Sequence, residues 1–191
     1  MMKRFLLLTI AAVFASALLS AQDCVTVKSG EVAFLSEKSG ISLEINYDRT
    51  MVGEVDLMTY LKSRGEDYLE DWPRDEKKGF DFFTEEFNRK NRDFAQIRNT
   101  QKVVLPKYRM VFDVLALDMG NSTMKNVPFI SKTGGDTISG FITVIETETG
   151  NEVCVLAVDE VNGQSFPSDG ERLGMAMAKV ARLVCALRPE E

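Results

Sequence analysis

Five acidic residues of this 191-residue chain are of the type that binds metal ions or transfers protons. Asp113, Asp118, Asp136, Asp159 and Glu160 lie in or beside the predicted central strands. Converging carboxylates could bind calcium or magnesium, which take oxygen ligands, or form the acid/base pair of a glycoside hydrolase. No spacing among them matches a calcium-binding loop, and solvated strand ends account for them equally well. We therefore assign no catalytic residue and no metal ligand.

The chain contains no histidine, and this absence excludes more chemistry than any other feature. Ser-His-Asp and Cys-His nucleophile pairs are impossible, as are histidine-ligated zinc and iron sites. The usual general base near neutral pH is absent as well. We expect no enzymatic activity and no cofactor.

A glycine-rich stretch lies at the end of a long polar loop predicted from Met119 to Asp136. A phosphate-binding loop would need a lysine beside a serine or threonine and a helix after it, whereas a strand is predicted to follow here. A flexible loop that enters a hairpin is the plain alternative. Long loops without secondary structure are often binding elements, so we retain the loop from Met119 to Asp136 as a candidate binding element. Its candidate binding residues are Asn121, Thr133, Gly134, Gly135 and Asp136.

Two aromatic residues near a predicted junction of helices are further candidates for binding. Trp72 could stack on a sugar or anchor a partner if it is exposed, although a lone tryptophan at such a junction is more often core. Phe82 is predicted to point away from the buried stripe formed by Phe80, Phe83 and Phe87. We expect both to contribute to a binding surface if they are exposed.

The N-terminus is typical of a secretory signal peptide. Lys3 and Arg4 precede an apolar run, Phe5 to Leu19, that is shorter than the ~20 residues of a transmembrane helix. Small residues follow, and we predict cleavage between Ala21 and Gln22. Residues 1–21 are the expected leader and residues 22–191 a single α/β domain.

The processed chain is expected to be periplasmic or extracellular and not lipid-anchored, because the residues before Cys24 do not form a lipobox. Loss of the leader removes two basic residues and no acidic one, which moves the net charge from −6 to −8. This balance disfavours nucleic acid and anionic membrane surfaces as partners. No other apolar run is long enough to span a membrane. Cys154 and Cys185 are either bridged or buried thiols, and the oligomeric state stays open.

Hydrophobic periodicity predicts strands separated by a pair of helices. Alternation from Ile41 to Tyr47 and from Tyr108 to Asp118 indicates two strands, and a turn at Ser39-Gly40 favours a hairpin between the first of these and a strand over 31–37. Pro73 is placed in the first turn of a second helix. The predicted helices are 54–71, 73–91 and one from the capping box of Ser168 and Glu171 to Pro189; the remaining predicted strands are 94–97, 103–105, 138–147 and 152–159.

This order of elements predicts the fold class. Helices grouped between strands, rather than alternating with them, suit an antiparallel or mixed sheet with helices on one face. We therefore expect an α+β protein with a mixed, mainly antiparallel sheet, as a two-layer α/β sandwich.

The C-terminal half carries a resemblance. A strand over 142–148 that ends in a Thr149-Gly150 turn, a return strand, and an alanine-rich helix over 174–181 resemble small envelope domains of Gram-negative bacteria. These are the amino-terminal domain of TolB and the lipoprotein activators of peptidoglycan synthases. Tyr47-Asp48, Trp72-Pro73 and Phe87-Asn88 are more similar to a family of secreted bacterial proteins related to them. The resemblance implies a mixed α/β sandwich and a binding role, without catalytic residues.

These observations favour an exported, non-catalytic binding or accessory domain of the bacterial cell envelope, with another envelope protein as its partner. One alternative is a carboxylate-based hydrolase, with or without a requirement for calcium. The other is a structural subunit that self-associates.

Overall fold

The computed structural model of the chain describes residues 24–99, 105–120 and 134–189. The expected leader and its cleavage site lie outside these residues. The described residues form eight strands: β1 Cys24–Gly30, β2 Gly40–Asn46, β3 Met51–Val52, β4 Val55–Asp56, β5 Gln96–Ile97, β6 Tyr108–Asp118, β7 Thr137–Glu146 and β8 Glu152–Asn162. The same residues also form three α-helices: α1 Leu57–Arg64, α2 Glu66–Lys90 and α3 Asp169–Ala186.

The strands form one sheet in the order β1-β8-β7-β6-β2-β5. The first four are antiparallel to one another, whereas β2 runs parallel to both β6 and β5. The short β3 continues alongside β6 beyond the end of β2 and pairs with β4. The predicted mixed, mainly antiparallel sheet is confirmed.

The long helices α2 and α3 pack against each other and against one face of the sheet. Phe83, Phe87, Leu173, Val180 and Val184 are fully buried there, on the faces that the periodicity predicted. Inward residues of β6 alternate with more exposed ones along its length. The result is the expected two-layer α+β arrangement, with helices on one side.

The predicted N-terminal hairpin is wrong. Residues 33–36 of its first strand form a 3-10 turn, and the strand that the prediction missed is β1, which pairs with β8. The two neighbours of β2 in the sheet are β6 and β5, so no strand from residues 31–37 pairs with it. Where β5 ends, the Asn99 side chain continues that ladder: its Nδ2 donates to the Leu43 carbonyl and its Oδ1 accepts from the Leu43 amide, each at 3.0 Å.

The break between the two middle helices was predicted at the wrong residue. Pro73 lies inside α2, which runs without interruption through it. The break comes at Gly65, whose φ of 129° is left-handed backbone that no helix contains. A proline removes only one helical hydrogen bond, here to the Leu69 carbonyl, and the packed face of α2 tolerates that loss.

The C-terminal half agrees closely with expectation. β7 and β8 form the predicted hairpin, with Gly150 at a φ of 71° in its turn. Ser168 caps α3: its Oγ accepts from the Glu171 amide at 3.3 Å and donates to the Glu171 carboxylate at 2.9 Å. Of the two short predicted strands, one is β5 and the other lies mostly outside the described residues.

Cys154 and Cys185 are both buried free thiols, so the alternative of a bridge between them is not realised. No helix within the described part of the chain has the length and apolar character needed to cross a membrane.

Candidate functional site

Trp72 is not an exposed anchor. Only 6% of its surface is accessible, and its ring packs edge-on against Tyr47, with ring centroids 5.2 Å apart at 87°. It lies on the sheet-facing side of α2, because the helix continues through the predicted junction. What remains accessible of Trp72 lines a 340 Å³ cavity together with Asp48 and Glu76. Of the two alternatives that the sequence left open, Trp72 is core, and it is removed from the candidate binding residues.

Phe82 is half-buried between the two long helices. A Cβ placed on Gly174 of α3 would lie 2.9 Å from the Phe82 ring, so the glycine allows this ring to lie against the helix backbone. Phe82 therefore belongs to the contact between α2 and α3. The exposure on which its candidacy as a binding residue depended is therefore not observed.

Asp113 and Asp159, two of the acidic candidates, contact different residues in different parts of the sheet. Asp113 accepts a hydrogen bond from Asn46 at 3.0 Å and lies 3.7 Å from the Arg49 guanidinium. Asp159 lies at the opposite edge, beside the Cys24 thiol. No group of three or more acidic or cysteine side chains that could bind a metal ion occurs among the described residues.

Asp136 is completely buried and forms an ion pair with Arg172 of α3. Its Oδ1 accepts from Arg172 Nε at 3.1 Å and from the Gly120 amide at 3.0 Å, while its Oδ2 accepts no hydrogen bond from the described residues. Its backbone carbonyl accepts from the Gly163 amide at 2.8 Å. One side chain thus joins the end of β6, the start of β7 and α3, so the predicted binding residue Asp136 has a structural contact instead.

The two partners of this pair are not equivalent. Burial raises the pKa of Asp136 to about 6, against the lowering effect of Arg172. Burial by itself lowers the pKa of Arg172, but the carboxylates of Asp136 and Asp169 raise it on balance. Arg172 contacts two carboxylates and Asp136 only one cation, and for this reason Arg172 stays charged while Asp136 is the group that titrates.

A cleft of 460 Å³ opens beside this ion pair, where α1 ends and where β6 ends and β7 begins. Gly134 and Gly135, two of the candidate binding residues from the sequence, line it. A Cβ on Gly135 would lie 2.0 Å from the Gly163 carbonyl oxygen, whereas one on Gly134 would meet nothing within 4 Å. Gly135 therefore holds the wall of the cleft against the β8–α3 connection, and Gly134 faces open space.

The cation of the cleft is Arg64, the last residue of α1. Its two terminal nitrogens donate to the hydroxyls of Tyr60 at 2.8 Å and of Tyr68 at 3.0 Å. Its guanidinium carbon lies 4.4 Å from the centroid of the Tyr68 ring and 5.8 Å from that of Tyr60. The hydrogen bond to Tyr68 is the main reason that the pKa of Arg64 is raised.

No acidic side chain among the described residues pairs with Arg64. Two neutral hydroxyls and an aromatic face orient the guanidinium without neutralising it. Such a group is suited to an oxyanion, because its fork of N–H donors matches two oxygens of a carboxylate or of a phosphate. Asp118, Thr137 and Asn162 complete the polar wall opposite.

No known protein family and no curated protein sequence matches the chain. Among solved structures, the chain is similar to the PelC dodecamer from Paraburkholderia phytofirmans, with a TM-score of 0.45 and 12% identity; the match covers 89% of this chain and 100% of that one. A point variant of that PelC dodecamer gives a TM-score of 0.42 and 10% identity with the same coverage. At such TM-scores, neither likeness assigns a function.

Of the predicted binding residues, the structure brings Gly134 and Gly135 to the cleft, whereas Asn121 and Thr133 lie outside the described residues. Sequence reasoning missed Arg64, Tyr60 and Tyr68. The spacing of four between Tyr60 and Arg64 was the available signal, since residues four apart lie on one side of a helix, whereas Tyr68 lies on α2, beyond the break at Gly65.

Proposed function

We propose that this chain is an exported, non-catalytic binding domain of the bacterial cell envelope, and that its binding site is the Arg64 cleft. The observation that carries the proposal is the oriented, unneutralised Arg64 guanidinium in a cleft of 460 Å³. Cavities of about 300–1,000 Å³ are the usual size for ligand sites. The group recognised is an anion presented by another envelope component.

Two features support binding rather than catalysis. The sequence has no histidine, and Asp113 and Asp136, two of the acids considered for a hydrolase, have separate partners. The cleft itself offers one carboxylate, Asp118, and neither a nucleophilic cysteine nor a second acid among its described lining residues. A single unassisted carboxylate does not supply the acid/base pair of glycoside hydrolysis.

Export rests on the N-terminal pattern of the sequence. The test is the mass of the protein recovered from the periplasm or the medium. We expect a start at Gln22 without lipid. A mature start at Cys24 that carries acyl chains would contradict both the cleavage site and the freely soluble form.

The cleft is tested by titrating the purified protein with small carboxylates and inorganic phosphate while its melting temperature is followed. A ligand at about 100 times its dissociation constant stabilises a protein by about 2.7 kcal/mol. We expect Arg64→Leu to abolish the stabilisation and Arg64→Lys to weaken it, because lysine keeps the charge but lacks the planar fork.

Arg109→Leu is the matched control. Arg109 is an exposed arginine of β6 outside the cleft, so the variant removes the same charge elsewhere. If Arg64→Leu and Arg109→Leu alter anion binding equally, the effect is one of net charge and the cleft is not the site. A pull-down from the envelope fraction with wild type and with Arg64→Leu then identifies the natural partner as the component lost with the variant.

A further inference from the structure

The Arg64 cleft carries a second, opposite charge. Asp118 is the last residue of β6, is exposed, and lines the same cleft. It forms no hydrogen bond or ion pair through its carboxylate with the described residues. Arg64 and Asp118 therefore face one cavity as two unneutralised charges, and they are not paired with each other.

Hydrogen-bond donors accompany the cation. The Tyr60 hydroxyl accepts from Arg64, so its own proton remains available to a ligand. The Thr137 hydroxyl likewise accepts from Asn162 Nδ2 at 2.7 Å and keeps its proton. A ligand oxygen that carries negative charge is therefore matched by several donors, while Asp118 is the acceptor for a positively charged donor.

We propose, building on the function proposed above, that the ligand is dipolar: a free amino acid or short peptide. Its terminal carboxylate binds Arg64 and Tyr60, and its ammonium group binds Asp118. The volume of 460 Å³ lies in the range of small-molecule sites and suits one to a few amino-acid residues. A simple anion would leave Asp118 facing it with repulsive charge, which disfavours an anion that lacks a cationic group.

Calorimetric titration of the full protein with three alanine dipeptides tests this inference. The probes are Ala-Ala with both termini free, its N-acetylated form and its C-terminal amide. We expect Ala-Ala to bind at least tenfold more tightly than the N-acetyl form, and the amide not to bind. Alanine and trialanine, titrated in the same way, report how far apart the two charged groups of the best ligand lie.

Variants of Asp118 and Arg64 test which residue binds the ammonium end of the ligand and which binds its carboxylate end. Asp118→Asn is expected to weaken Ala-Ala at least tenfold and to leave the N-acetyl form unchanged or tighter. Arg64→Lys is expected to weaken both. Glu44→Gln is the control, because it removes an exposed negative charge that lies outside this cleft.

The outcomes separate the two proposals. If the N-acetyl form binds wild type as tightly as Ala-Ala, and Asp118→Asn changes neither, the dipolar ligand is refuted while the anion-binding cleft stands. If no carboxylate binds wild type, both proposals are refuted. Circular dichroism of each variant confirms that its fold is retained.

Discussion

Replacing Asp136 with asparagine should change how the stability of this protein depends on pH. Among the described residues, the buried Asp136 carboxylate has Arg172 as its only ion-pair partner, and its Oδ2 accepts no hydrogen bond. Burial raises its pKa from 3.8 to about 6. Between about pH 6 and about pH 4 the folded protein thus binds a proton at Asp136 that the unfolded chain does not bind.

The sign and size of the effect follow from this linkage. Because the folded state binds more protons in that window, the contribution of Asp136 to the free energy of unfolding increases as the pH falls. The difference between 3.8 and about 6 corresponds to about 3 kcal/mol, at about 1.4 kcal/mol for each pKa unit. Wild type should therefore gain about 2 kcal/mol of this relative to Asp136→Asn between about pH 7 and about pH 4, because Asp136 of the unfolded chain is itself partly protonated at pH 4.

Urea unfolding of wild type and Asp136→Asn at both pH values measures this difference. All other acidic groups are common to the two proteins, so their titration cancels in the comparison. A difference between the two proteins that stays constant with pH would refute the reasoning. A relative loss of wild-type stability on acidification would show that Arg172 outweighs burial and lowers the pKa of Asp136.

Four further outcomes are expected. Gly135→Ala should destabilise the protein, because its Cβ would lie 2.0 Å from the Gly163 carbonyl oxygen, whereas Gly134→Ala should leave the melting temperature nearly unchanged. Leu173→Ala, at a fully buried position, should cost about 2–5 kcal/mol in urea unfolding; a cost below about 0.5 kcal/mol would mean that α3 does not pack there. The single tryptophan, Trp72, should emit at short wavelength and shift to longer wavelength on unfolding; emission typical of exposed tryptophan before unfolding would contradict its burial. Calcium should not raise the melting temperature, because the described residues contain no cluster of ligands for it; a rise would revive the hydrolase alternative.

The sequence predicted correctly those helices and strands whose bounds are set by hydrophobic periodicity or by a capping residue. The alternation from Tyr108 to Asp118 predicted β6 with its bounds, and the Ser168 box predicted the start of α3. The order of elements also predicted a mixed sheet with helices on one side. Each of these conclusions depends on periodicity or capping over a few residues, which sequence displays directly.

The sequence did not predict which strands pair when they are far apart along the chain. No local pattern indicates that β1 pairs with β8 or that β2 lies parallel to β6. The sequence analysis instead paired the strand from Ile41 with the segment just before it in the chain. Pro73 was judged by its intrinsic effect on a helix, whereas packing of α2 overrides that effect. Arg64 was overlooked because its surroundings are also set by long-range contacts. The helix break at Gly65 lets the end of α1 meet the end of β6 and the start of β7 at one cleft.

The pairing of β1 with β8 has a consequence for how quickly the chain can fold. Cys24 and Asp159 are register partners separated by 135 residues, and at about 5–20 residues per second the ribosome needs about 7–27 s to produce the second after the first. Sheets with such distant partners fold slowly. For a chain that is exported, as proposed, this delay keeps the polypeptide open while it crosses the membrane. Once the sheet has formed, β1 is its edge strand, and Lys28 together with the irregular register between Val27 and Ser29 limits pairing of that edge with other chains.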